Sequence, residues 1–201
     1  MRVLGLMLLM LAPQAFAIPL ENSISKQATV ALKNAQYYIE SVGAITLDQA
    51  LDLDESDWQE ASSFPLNLGI LEGGAWVKFE LVNVEPVQVE RIFEVANPRL
   101  RHLDVYMLEQ GELFTSFELG SSQIFLDRPI ISRNFAIPLS LKGRQTITVF
   151  LRAESSLGVF VPLYLHKDKT FWQLAIGENI GQGLYFGILL MFVVFNLGLY
   201  L

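Results

Sequence analysis

Val77-Lys78-Phe79-Glu80-Leu81 alternates apolar and charged residues one for one, and this short run decides the fold. Successive side chains of a β-strand point to opposite faces, so Val77, Phe79 and Leu81 share a face that seeks a core while Lys78 and Glu80 face water. The same period recurs downstream. Val87, Val89, Phe93 and Val95 alternate with Gln88, Glu90 and Glu94, with Arg91 the one misfit on the apolar face. Leu103, Val105 and Met107 follow, then Leu113, Phe117 and Leu119 across a turn at Gln110-Gly111, then Phe135, Ile137, Leu139 and Leu141. Ile147, Val149 and Leu151 come after a turn at Lys142-Gly143, and Val159, Val161, Leu163 and Leu165 close the series. Half-buried runs at such short spacing predict a mainly β chain folded as an antiparallel sandwich over residues 35–170. Pro86, Pro98, Pro129, Pro138 and Pro162 fall at run boundaries or edge-compatible positions, as that fold requires.

Upstream the pattern is weaker. Residues 18–34 are a lead-in segment without clear periodicity, and Thr46-Leu47-Asp48-Gln49-Ala50-Leu51 predicts a short helix capped by Thr46. The acidic run Asp52 to Asp57 fails as a calcium loop. Counted from Asp52, the required glycine at position six is Asp57 and the required acid at position twelve is Ser63.

Both ends are apolar and account for a hydrophobic content of 52%. Arg2, the run Val3 to Leu11 and the small-residue site Ala15-Phe16-Ala17 form a secretory signal, residues 1–17. At the other end no charge occurs from Asn179 to Leu201, a helical length of roughly 35 Å against a hydrocarbon core of about 30 Å. Residues 183–201 are expected to span a membrane, with 171–182 a linker and Trp172, Tyr185 and Tyr200 near the interfaces. Gly183, Gly187 and Asn196 are candidate contacts to neighbouring helices, and the chain is expected to be the front of a longer membrane protein. Leader and span together place the sandwich outside the cytoplasmic membrane, which in a bacterium is the periplasm. Lys167 and Lys169 lie on that external side, mildly against the positive-inside tendency. No cysteine is present, so the core holds by packing alone. A net charge of −7 argues against nucleic acid and against an anionic membrane surface as partner.

Four stretches together resemble a known family. They are Ala75 to Leu81, Ala96-Asn97-Pro98-Arg99-Leu100-Arg101-His102-Leu103-Asp104-Val105-Tyr106, Arg128 to Leu139, and Gly183-Leu184-Tyr185-Phe186-Gly187-Ile188-Leu189. Their types and order are similar to those of bacterial seven-transmembrane receptors with diverse intracellular signalling modules, over roughly residues 37 to 201. That resemblance implies the second type of extracellular sensor domain, a jelly-roll-like sandwich similar to carbohydrate-binding modules, directly before the first of seven helices. It further implies a cytoplasmic output, often a diguanylate cyclase or histidine kinase.

No catalytic constellation is expected. His102 and His166 lack cysteine or nearby acidic companions in sequence, and there is no nucleophile elbow, phosphate loop or HExxH motif. Neither a metal nor a cofactor is called for. Sugar recognition combines an aromatic platform with planar polar donors, and here Trp76, Asn97, Arg99, His102, Tyr106, Arg128, Arg133 and Asn134 supply that set. The competing reading makes Asn97 and Arg133-Asn134 turn residues that tie loops to backbone, and Trp76 an outer-face residue covered by the segment before it. A small molecule, a carbohydrate or a periplasmic protein remain open as partners, as does a homodimer. The expected function is ligand sensing for a receptor in the inner membrane; the alternative is a membrane-tethered carbohydrate-binding or protein-interaction module without signalling. Leader cleavage after Ala17 is directly testable: mass spectrometry of the exported protein should find Ile18 as its first residue, and an intact Met1 would show an uncleaved anchor instead.

Overall fold

The computed structural model describes residues 17–20, 29–32, 34–41 and 43–200. The signal expected over 1–17 lies outside them except for Ala17. The elements run β1 (Ala17–Leu20), β2 (Thr29–Ala31), β3 (Gln36–Ile39), α1 (Leu47–Leu51), β4 (Gln59–Glu60), β5 (Leu66–Gly69), β6 (Ala75–Asn83) and β7 (Val89–Val95). They continue with β8 (His102–Glu109), β9 (Glu112–Leu119), β10 (Phe135–Leu141), β11 (Thr146–Glu154), β12 (Val159–Val161), β13 (Leu163–His166) and α2 (Asp168–Tyr200). The lead-in thus supplies two strands.

Two sheets face each other. The larger has the order β4-β3-β6-β11-β8-β9, with β1 alongside β6 beyond the end of β3; the smaller is β10-β7-β13-β2, and β12 pairs with β5 apart from both. Every pairing is antiparallel except β1 with β6. Val77, Phe79, Leu81, Val105, Val149 and Leu151 of the large sheet pack against Phe93, Val95, Ile137, Leu163 and Leu165 of the small one in a single core. The Phe79 and Phe93 rings meet between the sheets at 5.8 Å. Alternation in the sequence is therefore burial in the fold.

Two apolar residues depart from the pattern for local reasons. Val87 falls in the turn before β7 and is exposed. Leu113 also faces outward, because the register shifts between Met107 and Leu108: Met107 pairs with Thr115, but Leu108 pairs with Leu113. One extra residue at a bulge turns the neighbouring residues to the other face. Arg91, the misfit, lies opposite Leu139 just past the end of β13, half-buried, and donates from Nη1 to the Glu90 carbonyl at 2.8 Å.

The outer face of the large sheet is covered. Thr46 and Gln49 form a capping box that starts α1, and this segment packs Ala50 and Trp58 onto Trp76, Leu108 and Phe150. Beneath it lies Glu40, whose side chain is fully buried. Its carboxylate accepts from Ile45 N (3.1 Å), Gly74 N (2.9 Å) and Trp76 Nε1 (3.0 Å), and from both Nε and Nη2 of Arg152 at 2.8 Å. Gly74 is needed there, since a Cβ would stand 2.7 Å from Glu40 Oε2. Asn83 holds the far end of the sandwich, its Nδ2 reaching the carbonyls of Val87 (2.9 Å) and Lys142 (2.8 Å).

From Asp168 to Tyr200 the helix is continuous, so the expected linker 171–182 is helical and joins the apolar segment without a break. Its direction is set by its contacts. β13 runs from Leu163, opposite Val95, to His166, opposite Ile92. Phe171 then packs with Ile92, Ala136 and Ile130, while Leu174 to Asn179 run beside Glu94, Ala96 and Asn134. Hence α2 doubles back along the small sheet and leaves past the end where β7 finishes. Replacing Arg152 by Met leaves the Glu40 carboxylate buried without its counter-ion and should cost about 3–5 kcal/mol, read as a lower urea midpoint; an unchanged midpoint would show that the pair contributes nothing net.

Candidate functional site

The outer face of the small sheet carries a row of polar side chains, one from each strand or its immediate flank. Thr29 on β2 lies opposite His166 on β13, Glu94 on β7 is diagonal to His166, and Asn134 immediately precedes β10. They are hydrogen-bonded end to end. Thr29 Oγ1 and His166 Nδ1 are 2.9 Å apart, His166 Nε2 and Glu94 Oε2 2.6 Å, and Asn134 Nδ2 donates to Glu94 Oε1 at 2.7 Å. With Nε2 donating to the carboxylate, Nδ1 accepts from the Thr29 hydroxyl in the neutral ring and donates to it in the charged one. Burial pushes the Glu94 carboxyl up, but the bonds from His166 and Asn134 outweigh it and hold the group below the usual carboxylate range.

A cavity of about 420 Å³ opens beside this row. The sheet forms its floor, residues 131–134 one wall, and Trp172, Leu174, Ala175, Ile176 and Asn179 of α2 the other. Ile131, Leu174 and Ile176 make it largely apolar, whereas Arg133, Asn134, Tyr164 and Asn179 bring polar groups. That mixture suits a small ligand with one apolar and one polar side. The line Thr29–His166–Glu94 has the connectivity of a nucleophile, base and orienting acid, yet His166 is almost wholly buried and its ring lies 5.8 Å from that of Phe171. We read the row as a structural clamp. Among the described residues no group of three or more His, Cys, Asp or Glu side chains could hold a metal ion.

The residues singled out from sequence separate into three places. Arg133 and Asn134 line the cavity, and Arg128 braces their loop: its Nη1 donates to the Ser132 and Arg133 carbonyls (3.0 and 3.4 Å), and its guanidinium lies between the Phe125 and Phe135 rings at 4.8 and 4.6 Å. Trp76 and Tyr106 stack at 5.8 Å on the opposite, covered face of the large sheet, where Trp76 is buried and presents no open platform. Asn97 and Arg99 sit between β7 and β8, and His102 opens β8. Asn97 donates to Phe160 O at 2.7 Å and accepts from Arg99 N, the Arg99 side chain is exposed, and His102 Nδ1 is 3.2 Å from Ser122 Oγ. Gly183 and Gly187 have nothing within 4 Å of an added Cβ, and Asn196 Nδ2 donates within the helix to Phe192 O at 2.8 Å.

Thr29, Glu94, Tyr164, His166 and Phe171 were not legible as site residues. Glu94 stood out only as a polar member of an alternating run, and its partner His166 is 72 residues away.

Comparison with known proteins bears on the sandwich. The family model described as 7TMR-DISM extracellular 2 matches residues 32–167, ending one residue before α2. A family 35 carbohydrate binding module from Clostridium thermocellum superposes with a TM-score of 0.30 at 14% identity, covering 69% of this chain and 96% of that one, a likeness too low to bear on fold or ligand. A search of curated proteins returned no match.

Because Glu94 is held ionised to lower pH in the folded state than in the unfolded chain, the stability it contributes is complete above the ordinary carboxylate range. It is lost as pH falls through the folded value. Glu94→Gln should therefore flatten part of the acid limb of a melting-temperature profile, other parts coming from Glu40, whose carboxyl is pushed up by burial but pulled further down by Arg152 and two backbone donors, and from Glu55, drawn down by its bonds from Lys78 and Gln36. Parallel acid limbs in variant and parent would show that Glu94 carries no such linkage.

Proposed function

The chain belongs to the 7TMR-DISM extracellular 2 family, and from that premise we propose that it is the periplasmic ligand-sensing region of a bacterial receptor in the inner membrane. In this reading a small polar or sugar-like molecule enters the cavity between sheet and helix, and its binding biases the seat of α2. One observation carries it: the cavity is walled on one side by the sandwich and on the other by the first turns of the helix that is long and apolar enough to cross a membrane. A ligand in a pocket confined to the sheet could bind without consequence for the membrane segment. One lodged here contacts both bodies, so any difference in its fit between two helix positions becomes a difference in their populations. Couplings of about 1–3 kcal/mol suffice for a 5- to 150-fold effect.

Recognition would rest on the Arg133 guanidinium, the amides of Asn134 and Asn179 and the Tyr164 hydroxyl, set against Ile131, Leu174 and Ile176. Glu94 and His166 act behind them, holding Asn134 in place. No residue here is assigned a bond-making or bond-breaking role.

The test is a thermal-shift screen of the full chain in detergent against sugars, nucleotides, organic acids and amino acids. A ligand of this site should raise the melting temperature of the parent protein and not of Ala175→Trp, which fills the cavity from the helix side. Arg133→Ala should weaken the response by about tenfold where the ligand is anionic. A ligand that stabilises both Ala175→Trp and the parent equally would bind elsewhere and remove the basis of this reading.

A further inference from the structure

The sandwich has two ends, and they differ. The end past which α2 leaves is built from residues 70–73, 97–101, 120–134 and 155–158, and it exposes large apolar side chains: Ile70 by 79%, Ile124 by 66%, Leu126 by 76% and Leu157 by 73%. Phe125 and Ile131 are about half exposed beside them. The opposite end also exposes Val84, Val87, Leu113 and Phe114, so apolar exposure alone does not separate the two. Charge does. Counting each end's loops with the residues that close its strands, Arg99, Arg101, Arg128 and Arg133 outnumber Glu72, Asp127 and Glu154 at the first end, while Glu85, Glu109 and Glu112 outnumber Lys142 and Arg144 at the second. In a chain of net charge −7 the fold thus gathers a basic end. Arg99, Arg101 and Arg133 have no carboxylate within ion-pair distance among the described residues.

Position adds a third observation. Phe171 is level with the middle of β7, and Asn179, where the uncharged run begins, lies about 12 Å further along the helix. Asn179 lines the same cavity as Ile131 to Asn134, on the wall opposite theirs, and those residues belong to the loop that carries Ile124 to Leu126. The apolar tip and the start of the lipid-matching segment are therefore neighbours. Resting on the membrane reading above, we propose that this end of the sandwich docks on the anionic phospholipid surface from which α2 emerges. Ile124, Phe125, Leu126 and Leu157 enter the interfacial layer, and the exposed Arg99 and Arg101 meet lipid phosphates. Exposed apolar side chains ringed by arginine are what such a layer accepts, the stems lying in the apolar zone and the heads in the phosphate region. The overall acidity that argued against an anionic surface describes the chain's sum and not this end.

Because the chain has no cysteine, single labels can be placed without background. Leu126→Cys, Leu157→Cys, Leu113→Cys and Met191→Cys, each in the full chain and carrying an environment-sensitive fluorophore, are reconstituted in nanodiscs of mixed phosphatidylglycerol and phosphatidylcholine. The fluorophores at 126 and 157 should be quenched about twofold or more by shallow nitroxide lipids and shielded from iodide, and that at 113 should behave oppositely. Replacing phosphatidylglycerol by phosphatidylcholine should reduce the lipid quenching at 126. The position-191 label, read against nitroxide lipids labelled deep in the acyl chain, tests the span itself, so deep quenching there without shallow quenching at 126 and 157 sinks the docking proposal and leaves the membrane reading standing. Labels at 126 and 157 shielded from iodide but untouched by nitroxide lipids would mean a protein cover, which equally overturns it. Failure of quenching at 191 overturns both.

Discussion

A single buried carboxylate joins the parts of the large sheet. Glu40 follows β3, takes two hydrogen bonds from Arg152 on β11, one from Trp76 on β6, and two from backbone amides at Gly74 and Ile45. Three adjacent strands and the segment leading to α1 converge on its two oxygens. An ionised group out of water is costly, and here five donors and a cation offset that cost. The geometry explains several choices around it at once. Gly74 has no side chain because one would collide with the carboxylate, and Trp76 is held with its ring flat on Tyr106 and its indole N–H turned inward. The cover of Ala50 and Trp58 then closes over a surface whose polar groups are already satisfied.

The small sheet handles its outer face differently. Its polar row is also satisfied internally, through His166, but the cover is the start of a helix that goes elsewhere. Phe171 is the hydrophobic seat, wedged against Ile92, Ala136 and Ile130, and past it the helix stands away from the sheet far enough to leave a cavity. The two faces thus show two uses of one device. On the large sheet a satisfied polar cluster lies under a closed cover, and on the small sheet it lies beside an opening walled by the start of α2.

How much of the fold and the site could be seen in advance depends on the range of the interaction. Residues two apart in sequence declare their shared face, so Val77, Phe79 and Leu81, or Ile147, Val149 and Leu151, were readable as core, and Thr46 as a cap. Glu40 and Arg152 are 112 positions apart, and nothing local marks either as a partner. Glu94 and His166 are the same case. Clustered arginine and asparagine between the apolar runs drew attention to Arg133 and Asn134, which line the cavity because loop ends gather wherever strands stop. Asn97, drawn in by the same cue, proved to tie its own turn to Phe160. Leu113 shows the limit of periodicity, since one bulged residue on a paired strand reverses the face and leaves no mark in the composition.

One consequence of the unbroken α2 is mechanical. Along the continuous helix, Ala175 at the cavity wall stands about 6 Å beyond the seated Phe171, and Tyr200 about 44 Å beyond it. The ratio of the two distances is near seven, so any tilt about that ring that displaced Ala175 by about half an ångström would displace Tyr200 by about 3–4 Å. That ratio is set by how far along the helix the one seated phenylalanine stands.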